Sequence, residues 1–221
     1  MLRRSKVSVK VFGNGALFVR PESKVERVSY PIITPSAARG ILEAIFWKPE
    51  FKYQITKIKA LEWPEFTSIV RNETSSKAVI NKAFMNNPIN KYIEDTRQLR
   101  HSLFLKKIAY IIEAEIILLE ETAHPIKKYE VMFNRRVTKG QCFARPYFGT
   151  REFSCHFSCV EGNEEIIDWT EEVGPMFFDY FYSKNKEITQ PHYFNANIVK
   201  GEMTIPQYLY KEVYKECILN D

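Results

Sequence analysis

The residues best equipped for chemistry lie between Lys127 and Arg151. That span holds seven basic side chains (Lys127, Lys128, Arg135, Arg136, Lys139, Arg145 and Arg151) against one acid, Glu130. The local excess of positive charge therefore exceeds the +5 carried by the whole 221-residue chain. Charge packed this densely repels itself, and a polyanion offsets the repulsion. Tyr129, Phe133, Phe143, Tyr147 and Phe148 are interleaved with the cations, among Gly140, Pro146 and Gly149. Cations beside flat rings suit single-stranded nucleic acid, whose phosphates meet the charges while its bases stack on the rings. The plainer account of a basic run is a solvated helix face with core aromatics; here the density and the neighbours favour RNA.

A metal-free reaction is compatible with such residues. An RNA 2′-hydroxyl can attack its own phosphate if three things are supplied: a proton acceptor, a cation for the charge building on the phosphoryl oxygens, and an aligned strand. Lys127, Lys128 and Tyr129, at the front of the basic helix, offer a cation and a phenol. On residue chemistry alone the plainer account ranks higher: two solvated lysines and a core tyrosine. Other sites are excluded by pattern. No GxxxxGK[ST] occurs, and Gly13-Asn14-Gly15 lacks the third glycine and the helix of a nucleotide-cradling loop. HExxH is absent and the four histidines (His101, His124, His156, His192) are scattered, so neither metal nor cofactor is expected.

Composition is that of a globular protein with a substantial core, 45% hydrophobic and 27% charged. Charge is unevenly placed: residues 1–159 carry a positive excess and residues 160–221 an acidic one, which suggests one nucleic-acid face and a segment kept away from it. No apolar run is long enough for a signal peptide or a membrane span. The four cysteines form no CxxC pair; Cys155 and Cys159 are expected on one strand face as small buried hydrophobes. A reduced, cytoplasmic protein is the expectation.

These residues need positioning elements. Val7, Val9 and Val11 alternate with polar neighbours in a first strand, and Gly13-Asn14-Gly15 is expected to turn the chain into a second run, Ala16–Val19. Residues Pro21–Tyr30 are polar and irregular. Thr34 as N-cap and Pro35 at the first helical position open a helix carrying Ala38, Ile41, Leu42 and Ile45, ended by Trp47-Lys48-Pro49. Residues 51–62 and 66–72 look like strands, a short helical stretch is expected near Ser76–Phe84, and a polar loop follows. The β-branched content of Gln98–Leu119 predicts one long strand, or two with a bulge. Pro125 opens a helix with an apolar stripe of Ile126, Tyr129, Phe133 and Val137, leaving Arg135, Arg136 and Lys139 on its flank. Phe153, Cys155, Phe157 and Cys159 then alternate with polar residues, short strands follow, and a last helix is expected over Pro206–Cys217. The order predicts an α+β fold: a ferredoxin-like (RRM-like) domain over 1–153, with a small antiparallel β-sheet domain over 154–221.

Two long phrases carry a resemblance. YPIITPSAARGILEAIFWKPEF (residues 30–51) and FNRRVTKGQCFARPYFGTREF (133–153) resemble the CRISPR-associated Cas-five family in its type I-C form, the D variant. With the strand-rich opening and tail, the resemblance covers essentially the whole chain. It implies a ferredoxin-like domain followed by a small β-sheet domain. It also implies a subunit that cuts precursor CRISPR RNA in its repeat hairpin without metal, keeps the 5′ handle, and associates with backbone and large subunits of the interference complex. Binding of double-stranded DNA stays open. In such relatives the catalytic group is a Tyr at the end of the first helix plus a Lys-His pair ahead of the basic helix. This chain has Phe46 at the first position and Lys128-Tyr129 at the second. Phe46 exchanges no proton, and a phenol with an unperturbed pKa near ~10 is a poor base at neutral pH. Lys128 still offers the cation, and His124, Tyr30 or Tyr129 is left as base. The RNA-contact set is Arg39, Trp47, Arg71, Lys127, Arg135, Arg136, Lys139 and Arg145. Arg39 and Arg71 are weighed against solvent or ion pairing, and Trp47 against a place in the core. The alternative to a nuclease is a handle-capping subunit that binds without cutting.

Overall fold

One strand, β5 (Arg97–Leu118), organises the molecule. A computed structural model describes residues 4–23, 25–75, 92–119, 124–182 and 188–213. The expected helical stretch near Ser76–Phe84, the polar loop after it and Cys217 lie outside the described residues. Over its second half β5 is flanked by antiparallel neighbours, β1 (Arg4–Ala16) on one edge and β3 (Phe51–Ala60) on the other. Over its first half it pairs with β4 (Glu65–Thr74) and, in parallel, with the two-residue β2 (Arg27–Val28). The exchange of partners falls beside Lys107, a non-glycine residue with φ 38°. The expectation of one long strand at Gln98–Leu119 agrees with β5.

β6 (His156–Ser158) adds to the outer edge of β1. Beyond β3 the sheet continues through β9 (Glu202–Thr204) and β8 (Ile188–Val199) to β7 (Glu171–Tyr182). The path is β6-β1-β5-β3-β9-β8-β7, so the fold is mixed α/β and dominated by one largely antiparallel, curled sheet.

Helices α1 (Pro35–Ile45) and α2 (Ile126–Thr138) cover the face of β3 that bears Phe51 and Tyr53. In α1 the Thr34 hydroxyl accepts from the Ala37 amide at 3.3 Å, a cap worth about 1 kcal/mol. Ala38, Ile41, Leu42 and Ile45 recur at helical spacing and are fully buried. The predicted stripe of α2 faces the core with Tyr129, Phe133 and Val137 buried and Ile126 packed at its margin. A short α3 (Tyr208–Val213) returns to the sheet, where the Tyr210 hydroxyl accepts from the Ile55 amide at 2.8 Å.

Two local expectations are corrected. Gly13-Asn14-Gly15 makes no turn: β1 runs straight through it, with Gly13 opposite Ile108 and Gly15 opposite Lys106. The glycines serve close approach, since a Cβ at Gly13 would lie 2.9 Å from the Phe148 ring and one at Gly15 2.7 Å from the Phe153 ring. The alternation from Phe153 to Cys159 forms only a three-residue strand, with Cys155 buried and Cys159 exposed, where its Sγ meets the Thr138 hydroxyl at 3.3 Å. The next residues leave the sheet, so the period of two has no ladder to act on.

Candidate nucleic-acid interface

The end of α1 leaves carbonyls without helical partners, and the basic segment supplies them. The Ala44 carbonyl accepts from the backbone amides of Phe143 at 2.8 Å and Ala144 at 3.0 Å. The Ile45 carbonyl accepts from Arg136 Nη1 at 2.7 Å, and the same guanidinium lies 5.0 Å over the Phe46 ring. The Phe46 carbonyl in turn accepts from the Tyr53 hydroxyl at 2.7 Å, and burial pushes that phenol far above its ordinary range. Arg136 therefore works inside the protein: it sits in the last turn of α2, where the helix dipole favours a cation, and fastens that turn to the end of α1.

The other end of α2 is built differently. Pro125 is its N-cap, no side chain caps the exposed amides, and its first turn holds no acid. Lys127 is tied to Glu130, whose carboxylate also accepts from Ser5. The Lys127 hydrogen bond, helped by Ser5, holds the Glu130 carboxyl below the usual carboxylate range. Lys128 is exposed and its side chain has no partner among the described residues. A positive helix end with one unpaired lysine attracts an oxyanion. His124 is exposed one residue before the cap.

Tyr129 and Phe46, the two positions that the resemblance led one to expect at the catalytic centre, are both buried. Their rings pack on Phe51, with centroids 5.3 and 5.5 Å away respectively. The Tyr129 hydroxyl is buried without a hydrogen-bond partner. Tyr30 is equally inaccessible: its hydroxyl donates to the Pro175 carbonyl at 3.2 Å, and burial is the main cause raising its pKa.

The remaining predicted contacts divide into two groups. Arg39 pairs with Glu43 and with the buried Asp179 of β7, both at 2.9 Å, joining α1 to the distal part of the sheet. Arg71 pairs with Glu152 at 3.1 Å and Glu73 at 3.3 Å; Arg27 and Arg100 share the Glu73 carboxylate. By contrast Trp47, Arg135, Lys139 and Arg145 are exposed and have no side-chain partner among the described residues. The loop after α2 that carries Arg145 is anchored by Gly149 (φ 79°), where a Cβ would lie 2.0 Å from the Leu17 carbonyl oxygen. Candidates absent from the sequence-derived set are Phe143, 80% exposed, and the acids Glu130 and Asp179, which decide which cations are engaged. Glu130 is signalled by its i,i+3 spacing from Lys127; the Asp179 pairing is a long-range contact without a local signal.

Known proteins resemble this chain in sequence and in fold. Residues 7–196 match the Cas5d model of the CRISPR-associated protein (Cas_Cas5) family. The chain is 40% identical over 227 residues to the CRISPR pre-crRNA endoribonuclease Cas5d of Thermus thermophilus, covering 96% of each chain. It is 36% identical over 226 residues to the Mannheimia succiniciproducens protein of the same name, covering 95% of this chain and 98% of that one. A solved structure of a CRISPR-associated protein shares the fold at a TM-score of 0.68 and 20% identity, over 93% of this chain and 94% of that one. By the length of the family match and the identity along nearly the whole sequence, this chain belongs to the Cas5d family of CRISPR-associated proteins.

Proposed function

We propose that this chain binds the repeat hairpin of precursor CRISPR RNA, cleaves it without a metal, and retains the 5′ handle within a type I-C interference complex beside the backbone and large subunits. The observation that carries the proposal is Lys128: exposed and unpaired at an uncapped helix end, next to a Lys127 already bound to Glu130. Full-length relatedness to two proteins named pre-crRNA endoribonucleases supports the substrate. The sheet order β6-β1-β5-β3, with α1 between β1 and β3 and α2 between β5 and β6, supports a ferredoxin-like reading of the first part. The division at 153/154 leaves β6 just past the boundary although it pairs with β1.

In this mechanism the 2′-oxygen bonds to phosphorus and the bond from phosphorus to the 5′-oxygen breaks, giving a 2′,3′-cyclic phosphate and a 5′-hydroxyl. His124 takes the proton from the 2′-hydroxyl, and its imidazolium returns a proton to the leaving 5′-oxygen. Lys128 stabilises the charge on the phosphoryl oxygens, an effect of a kind worth about 10²–10³ in rate. The exposed cations Arg135, Lys139 and Arg145 hold the strand in register. Tyr129 and Phe46 serve as packing.

One observation favours a second reading, a handle-capping subunit without cleavage: both positions aligned with the family's proton-transferring groups are buried and inaccessible. A denaturing-gel assay in EDTA on a repeat-hairpin RNA separates the readings, comparing wild type, Lys128→Ala and His124→Ala, with binding measured in parallel. A single 2′-deoxy-sensitive cut lost in Lys128→Ala while binding persists supports the nuclease. Tight binding with no cut supports the cap.

A further inference from the structure

Phe143 is 80% exposed and Trp47 52% exposed. Neither ring contacts another aromatic ring among the described residues, and each leaves half or more of its surface to solvent. The backbone segments that carry them meet. The hydrogen bonds from the Phe143 and Ala144 amides to the Ala44 carbonyl bring the loop after α2 to the end of α1, three residues before Trp47. The support beneath is packed: Phe46 is fully buried, its ring lies under Arg136, and its carbonyl accepts from the Tyr53 hydroxyl. Lys48, Lys139 and Arg145 flank the two aromatics in sequence, are exposed, and have no side-chain partner among the described residues. Single exposed rings are ordinary on a protein surface; what distinguishes these two is that the segments carrying them are joined by hydrogen bonds and bordered by unpaired cations, which select an anionic partner.

We propose that Phe143 and Trp47 form a stacking platform for unpaired nucleobases of the bound RNA, with Lys48, Lys139 and Arg145 taking the adjacent phosphates. This rests on the RNA-binding reading above and sharpens it: the platform takes nucleotides flanking the hairpin, because a paired base keeps its faces within the duplex stack. Every base has a flat face, so the platform tolerates sequence. Phe143 supplies only a ring and is a binding residue; Arg136 is a positioning residue that acts through the end of α1.

The test uses the full chain with Lys128→Ala in every arm, so that the RNA stays intact, and two RNAs: a repeat hairpin with unpaired flanks and the same hairpin trimmed to its stem and loop. Phe143→Ala is expected to weaken binding of the flanked RNA by about 5-fold to 100-fold, the range of base–aromatic stacking, and to change the trimmed RNA less than about twofold. Phe143→Trp is expected to restore the flanked RNA, and melting temperature is expected to be unchanged throughout because Phe143 is exposed. Equal weakening on both RNAs, or none on either, overturns the platform while the RNA-binding reading stands. A Phe143→Ala defect confined to assembly with other proteins also overturns it. Failure of the parent protein to bind either RNA overturns the underlying reading and the platform with it.

Discussion

The two ends of α2 carry similar charge and put it to different use. At the C-terminal end Arg136 donates to the Ile45 carbonyl and covers Phe46, whereas at the N-terminal end Lys128 has no protein partner among the described residues. Thirteen residues at a rise of 1.5 Å separate the ends by roughly 20 Å, so one phosphate cannot touch both. A cation spent on a carbonyl shapes the scaffold, and a cation left unpaired is available to an anionic ligand. The difference lies in whether an acceptor is within reach, and the charge count of the segment is silent on that.

The largest expected effect tests the free end. Lys128→Ala should slow cleavage by about 100-fold or more, with RNA affinity changed only a few-fold, because a single charge at the developing phosphorane acts mainly in the transition state. Single-turnover rates and filter binding on the same preparation check it. Equal losses in rate and affinity would make Lys128 an ordinary phosphate contact and erase the contrast.

Engaged arginines should register in stability. Arg39→Ala leaves the Asp179 carboxylate, 5% exposed, without its closest cation, at a cost of about 3 kcal/mol. Arg136→Ala removes a charged hydrogen bond and a cation–π contact and should cost about 2 kcal/mol. Arg135→Ala, one residue away and unpaired, should leave urea unfolding nearly unchanged while weakening RNA binding at low salt. If Arg135→Ala and Arg136→Ala behave alike in both measurements, the division into engaged and free cations is wrong.

The elements follow from local pattern where pattern is decisive. Thr34-Pro35 with its apolar spacing marks α1, the β-branched run marks β5, and the stripe Tyr129, Phe133, Val137 marks the buried face of α2. Gly13-Asn14-Gly15 has turn composition, but its role is set by Phe148 and Phe153, more than a hundred residues away. The site shows the same limit. Basic density marks the proposed surface, and a family resemblance draws attention to Phe46 and Lys128-Tyr129. The burial of Tyr129 against Phe51 and the Arg39–Asp179 pair depend on contacts between distant segments. Phe143 is an aromatic in a mixed segment, and its exposure is decided by the docking of the loop backbone on Ala44.

The smallest expected effect converts an engaged cation into a free one. Glu130→Gln removes the carboxylate that holds Lys127. The Glu130 pKa is depressed in the folded protein, chiefly by Lys127 and then by Ser5. Its stabilising contribution is therefore present above the unfolded carboxylate pKa and lost as pH falls through the lower folded value. Wild type should accordingly melt slightly above Glu130→Gln at neutral pH, and the gap should close in acid. RNA binding should move the other way at neutral pH, tighter in the variant, with the dependence of log affinity on log salt steeper by about one ion as Lys127 joins the phosphate contacts. An unchanged salt slope with tighter binding would mean that Lys127 gains no phosphate. The benefit would then come from removing negative charge beside Lys128, leaving Lys128 the sole cation at that end of the helix that reaches the RNA.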